Sequence, residues 1–74
     1  MTHTVDAMGL ACPLPVLRAR KAIKNVAPGE ILEVVATDPA SVQDFTAFCE
    51  AAGHQLVACD EEAGVFSFQI RKVG

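Results

Sequence analysis

Cys12-Pro13-Leu14-Pro15 is the stretch of this sequence whose residue types and spacing suit chemistry. A cysteine thiolate is a nucleophile. Two prolines flanking one residue make a poor strand and a poor helix interior, because each ring removes an N–H donor and fixes φ near about −65°. They make a good helix start. The N–H groups of a helix's first turn have no internal partner, so proline sacrifices nothing there, and the first helical position favours it. With Pro13 as the first helical residue, Cys12 is the N-cap. Its sulfur then lies at the positive end of the helix dipole, which lowers a thiol pKa from about 8.5 and raises the thiolate fraction. An N-cap side chain normally accepts from the second or third helical N–H. Pro15 has none, which leaves Leu14 as the single donor of that pair and the sulfur open to approach. The competing reading is a small buried hydrophobe, as free cysteine often is. Gly9 and the paired prolines weigh against it by setting Cys12 at an element boundary.

The other chemically capable residues make weaker cases. Cys49 falls on the apolar stripe of a predicted helix and reads as core, while Cys59 ends a predicted strand on its outer side. Cys49, His54 and Cys59 are evenly spaced, yet they fall on a helix, a turn and a strand with no fourth ligand of zinc-site spacing, so no metal site is expected. His3 and His54 are candidate bases, but the sequence sets neither beside Cys12. His54 follows the helix-ending Gly53 and is expected to help satisfy terminal carbonyls. No phosphate-cradling glycine loop and no Ser-His-Asp arrangement is present.

These residues must be positioned by a small set of elements. Residues 3–8 alternate weakly and form a short strand, with Val5 and Ala7 inward. Residues 13–25 form a helix that gathers Val16, Ala19, Ala22, Ile23 and Val26 on one side. Arg18, Arg20, Lys21 and Lys24 spread over the other side, with Leu17 among them, and Pro28-Gly29 turns the chain. Residues 30–37 are the clearest strand, with Leu32, Val34 and Ala36 on one face. Asp38 then caps a helix over 39–52, with Pro39 at its first position. Its inward stripe is Val42, Phe45, Phe48, Cys49 and Ala52. Strands at 55–59 and 65–72 flank an acidic turn at 60–64, the second placing Phe66, Phe68 and Ile70 inward. The order βαβαββ implies an α/β (α+β) two-layer sandwich: a mixed four-stranded sheet with two helices on one face. Ile31, Val35, Val57 and Val65 are expected on the open face, a candidate partner surface. Cys12 falls in the first strand-to-helix loop, at the edge where the second helix also begins.

A chain of 74 residues fits one domain, 1–74, able to bury only about 60% of its unfolded surface. With 51% apolar and 20% charged residues the composition is globular. No apolar stretch reaches the ~18 residues of a membrane span, and the first residues lack the basic start and apolar run of a signal peptide. A cytoplasmic protein without direct membrane binding is expected. Three cysteines, an odd number without a CxxC pair, fit a reducing compartment rather than a disulfide framework. The net charge of −3 and the lack of Trp and Tyr argue against direct nucleic-acid binding. Four of the six basic residues nevertheless lie within seven positions after the cysteine motif. That basic helix face, Leu17, Arg18, Arg20, Lys21 and Lys24, is a candidate docking surface for partners.

Asp6-x-x-Gly9-Leu10-x-Cys12-Pro13-Leu14-Pro15, Pro28-Gly29-Glu30, Thr37-Asp38-Pro39 and Gly53-His54-Gln55-Leu56 together resemble the TusA/SirA-like sulfur-carrier proteins, over essentially the whole chain. The resemblance implies a βαβαββ fold similar to the C-terminal domain of translation initiation factor 3. It also implies that Cys12 accepts sulfane sulfur as a persulfide and passes it to a cysteine of a partner, with no cofactor beyond the covalent sulfur. Gly9, Pro13, Leu14 and Pro15 would shape the thiolate's surroundings. The implied partners are a sulfur-donor protein, a cysteine desulfurase or rhodanese, and an acceptor sulfurtransferase. A monomer is expected, with a weak dimer as the alternative. The competing function is a regulatory or RNA-binding module of the same fold. The pathway served (tRNA thiolation, molybdenum cofactor synthesis, sulfur oxidation, selenium handling) stays open at this level.

Overall fold

The computed structural model describes residues 3–11 and 14–73. Four strands and two helices follow one another as β1 (His3–Ala7), α1 (Leu14–Ile23), β2 (Ile31–Ala36), α2 (Ser41–Ala52), β3 (Gln55–Glu62) and β4 (Val65–Arg71). The strands form one sheet in the order β1-β2-β4-β3. β1 runs parallel to β2, and β4 runs antiparallel to both β2 and β3. The mixed sheet and the βαβαββ order are those expected from the sequence. The parallel pair needs the α1 crossover, since a tight turn can join only antiparallel strands.

The two-residue period of each strand divides the sheet into two sides. Val5 pairs with Val34 and Ala7 with Ala36, while Leu32 faces Ile70 and Val34 faces Phe68. Leu32, Val34, Ala36, Phe68 and Ile70 are fully buried and share one cluster with Ala19 and Ile23 of α1 and Phe45 and Cys49 of α2. Both helices therefore cover the same side. The Phe45 and Phe68 rings lie 4.6 Å apart, centroid to centroid and tilted, pinning α2 to β4. Such a pair adds about 0.5–1.5 kcal/mol beyond the area it buries. The opposite side is uncovered. It carries Asp6, Ile31, Glu33, Val35, Val65, Ser67, Gln69 and Arg71, opposed on the edge strand by Ala58, Asp60 and Glu62.

Several boundaries differ from the sequence expectation for identifiable reasons. The regular part of α1 ends at Ile23, and single turns bonded from Asn25 to Ala22 and Val26 to Ile23 finish it. α2 starts at Ser41 rather than Pro39. Asp38 still caps, but it caps the preceding turn: its carboxylate accepts from the Ala40 N–H at 3.1 Å, and its carbonyl accepts from both the amide and hydroxyl of Ser41. Ala52, expected on the inward stripe, is exposed at the last helical position. Gly53, in the left-handed region at φ 77°, ends the helix as expected, with the Cys49 carbonyl closing the turn.

The third strand departs most. Residues 60–62, expected as turn, extend β3 through Asp60-Glu61-Glu62, and the hairpin turns on Ala63-Gly64, both at positive φ. A bulge between Leu56 and Ala58 inserts Val57. That extra residue reverses the alternation downstream, so Cys59 lies opposite Phe68 on the helix-bearing side, not the outer side. Cys59 is exposed because it sits on the edge strand. Among the described residues, no helix is long and apolar enough to cross a membrane.

Candidate functional site

The site is built where β1 and β2 deliver their loops. Parallel pairing from His3 opposite Leu32 to Ala7 opposite Ala36 brings the carboxyl ends of both strands to one edge. The chain leaving β1 is fixed by three contacts. The Asp6 carboxylate accepts from the Met8 N–H at 3.0 Å, and the Ala7 carbonyl accepts from the Leu10 N–H at 3.3 Å. The Thr37 hydroxyl, from the loop after β2, accepts from the Gly9 N–H at 2.9 Å. This last bond ties the two strand-to-helix loops together. Gly9 has φ 78°, where an L side chain is strained, and open space surrounds its Cα. The backbone conformation, not a close approach, is what requires glycine there.

Cys12 and Pro13 lie outside the described residues, and with them the N-cap reading of the cysteine. The described neighbours are informative. Leu14 opens α1 and is exposed, and Pro15 is buried against the core. The Leu14 N–H, expected as the one donor left for the cysteine sulfur, donates to the Ala11 carbonyl at 2.9 Å.

Along α1, the exposed residues form one stripe. Leu14 and Leu17, each about half exposed at 48% and 49%, begin it, and Arg18, Arg20, Lys21 and Lys24, all exposed, continue it. Positions three and four apart on a helix are neighbours, so Leu17 borders Lys21, and Lys21 borders Lys24. The first turn is thus apolar and the rest cationic, with no acidic residue in α1's first turn. Arg20 and Lys21 also lie in the last turn, where the helix dipole favours positive charge. Two recesses open on the helix layer. One of about 470 Å³ lies between the helices, bordered by Val16, Arg20, Asp44, Ala47, Phe48, Ala51 and Ala52. The second, of about 370 Å³, is bordered by Leu17, Arg20, Lys21, Ile23, Lys24, Phe48 and His54.

The remaining candidates fall elsewhere. Cys49 is buried in the core, and burial pushes its thiol pKa up, which disfavours a thiolate. His3 pairs across the loop with Glu30, Nε2 to Oε1 at 3.4 Å. His54 satisfies a helix-end carbonyl, that of Cys49, through its backbone amide, while its ring Nδ1 accepts from the Val73 N–H. Among the described residues no group of His, Cys, Asp and Glu could hold a metal ion. Sequence reasoning assigned no role to Thr37 and none to the Asp6 carboxylate. The signal available was the spacing of Asp6, Gly9 and Thr37 at the two strand ends, which a register assignment would have converted into contacts.

A small βαβαββ domain with a cysteine motif on the first strand-to-helix loop defines a recognisable class. The family model "Sulfurtransferase TusA" matches residues 3–72. The sulfur carrier protein TusA of Allochromatium vinosum is 50% identical over 68 residues, covering 92% of this chain and 90% of that protein. Its namesake in Pseudomonas aeruginosa is 46% identical over 76 residues, covering 97% and 96%. The crystal structure of a SirA-like protein from Desulfitobacterium hafniense superposes with a TM-score of 0.82 at 29% identity, over 100% of both chains. The chain belongs to the TusA family.

Proposed function

We propose that this protein is a sulfur carrier whose Cys12 takes up sulfane sulfur as a persulfide and relays it between partner proteins. The observation that supports this reading most is the loop ahead of Cys12, which the Gly9 to Thr37 hydrogen bond fastens to the neighbouring strand-to-helix loop in a member of the TusA family. The Cys12 thiolate attacks the outer sulfur of a donor persulfide. A new S–S bond forms on Cys12, the donor's S–S bond breaks, and the donor leaves as a thiolate. An acceptor thiolate then attacks the same outer sulfur and regenerates the Cys12 thiolate. Each step exchanges one S–S bond for another, so no external oxidant or reductant is consumed.

Such a relay needs donor and acceptor to approach in turn. Leu14 and Leu17 supply the apolar beginning of a docking surface on α1, and Arg18, Arg20, Lys21 and Lys24 supply its cationic continuation. Donor and acceptor surfaces are accordingly acidic around the reactive cysteine. A cysteine desulfurase or a rhodanese is the donor class, and a sulfurtransferase the acceptor class.

The test is intact-mass analysis after incubation with a cysteine desulfurase and cysteine, or with a rhodanese and thiosulfate. The wild-type chain gains one sulfur atom, Cys12→Ser gains none, and Cys49→Ser and Cys59→Ser load normally. A gain that survives Cys12→Ser would sink the proposal. The more efficient donor of the two identifies the supplying chemistry.

A further inference from the structure

His54 is held in one tautomer by the backbone. Its Nδ1 accepts from the Val73 N–H at 3.1 Å, so the ring proton resides on Nε2. The imidazole borders the recess of about 370 Å³ at the far end of α1. Arg20, Lys21 and Lys24 border the same recess, and among the described residues none of the three forms an ion pair. Asp44 shares the neighbouring recess with Arg20, and Asp6 shares another with Lys21, but no carboxylate lines the recess of about 370 Å³ itself, so an anion there relieves the mutual repulsion of its cations. Leu17 and Phe48 line the remainder, and the Phe48 and His54 rings lie 5.9 Å apart, centroid to centroid.

From this geometry we infer that the recess bordered by Arg20, Lys21, Lys24 and His54 is a binding site for a tetrahedral oxyanion, a phosphate or a phosphate monoester. The guanidinium and the two ammonium groups supply charge, and the His54 ring supplies an Nε2–H donor. Leu17 and Phe48 offer an apolar wall to the organic part of an ester. The inference goes beyond the sulfur relay and uses none of its chemistry. It adds a consequence for it: an occupied recess neutralises part of the cationic stripe on α1.

The experiment is a titration of the isotope-labelled full chain, followed by amide and imidazole nitrogen resonances near pH 7.5, at ionic strength held constant with chloride. Inorganic phosphate is one arm and phenyl phosphate the other. Expected are saturable shifts centred on Arg20, Lys21, Lys24 and the His54 Nε2. The double variant Lys21→Gln/Lys24→Gln should bind roughly tenfold or more weakly, as loss of charge-assisted bonds requires. Tighter binding of phenyl phosphate assigns the site to an ester, and equal or weaker binding assigns it to the free ion. Shifts that never saturate, that chloride reproduces, or that persist undiminished in the double variant would overturn the inference. No donor or acceptor protein is present, so these results are independent of whether Cys12 carries sulfur.

Discussion

The two sides of this sheet are made by the same strands and differ in almost every physical property. Phe68 and Ile70 point beneath the helices and are fully buried, while Ser67 and Gln69, their immediate neighbours in β4, point the other way and remain uncovered. The charges divide as well. The open side carries Asp6, Glu33, Asp60 and Glu62 against Arg71, whereas the outer surface of α1 carries Arg18, Arg20, Lys21 and Lys24. A net charge of −3 therefore describes neither surface. A partner that approaches the outer surface of α1 meets clustered positive charge in a molecule that is acidic as a whole. Charge distribution, rather than total charge, then governs which partners collide productively and in what orientation.

Each part of that contrast can be tested by paired substitutions. The largest difference is in stability. Phe68→Ala should cost about 3–5 kcal/mol in urea denaturation, because it leaves a cavity against Phe45, and Gln69→Ala on the other side should stay within about 0.5 kcal/mol. Comparable losses would mean the open side is also packed in solution. Next comes the electrostatic contrast. Lys21→Glu/Lys24→Glu should slow sulfur transfer to an acidic acceptor by roughly 10–100-fold at low salt, with the gap narrowing as salt rises. Glu33→Lys/Asp60→Lys should change it by less than about threefold. Equal effects from the two pairs would remove the docking assignment to α1.

Smaller effects separate the loops and thiols. Thr37→Val removes the acceptor for the Gly9 N–H and should cost about 0.5–1.5 kcal/mol. If the loop serves the relay, transfer from Cys12 falls in that variant while loading stoichiometry is retained. The buried Cys49 should show in the alkaline behaviour of the fold. Burial raises the folded-state pKa of Cys49 above the ordinary thiol value of about 8.5, so its stabilising contribution is complete below that pH. It is lost as pH rises through the folded value, because only the unfolded chain deprotonates freely. Thermal melts of Cys49→Ala should therefore decline less between neutral and alkaline pH than those of wild type.

The helix-covered side was legible in the sequence because burial imposes a period there. Leu32, Val34 and Ala36, or Phe66, Phe68 and Ile70, announce their face by alternation alone. β3 was not legible in the same way. An edge strand has one unpaired border and little cover, so Asp60-Glu61-Glu62 can belong to a strand although acidic residues are depleted in strands generally. The bulge at Val57 has no signature in single-sequence pattern, and it moved Cys59 to the other side. The turn at Ala63-Gly64 places a non-glycine residue at φ 52°, where Asn-Gly or Asp-Gly would have been the readable signal. At the site, the cysteine motif and the basic helix face could be read from residue types and spacing. The Gly9 to Thr37 tie could not, because it joins residues 28 apart through a register that only the folded sheet defines.

β1 is one of the two edge strands and is bonded to the sheet through β2 alone, as β3 is through β4, whereas β2 and β4 each have two partners. Detaching β1 breaks one ladder and leaves the β2-β4-β3 unit joined. In hydrogen-exchange terms, β1 amides should exchange through a lower-energy opening than those of β2 and β4, with residues 9–11 following β1. The segment leading to Cys12 is then attached to an edge strand, and tied at Gly9 to Thr37 by a hydrogen bond. An opening of β1 therefore reaches residues 8–11 directly, while the β2-β4-β3 unit stays joined.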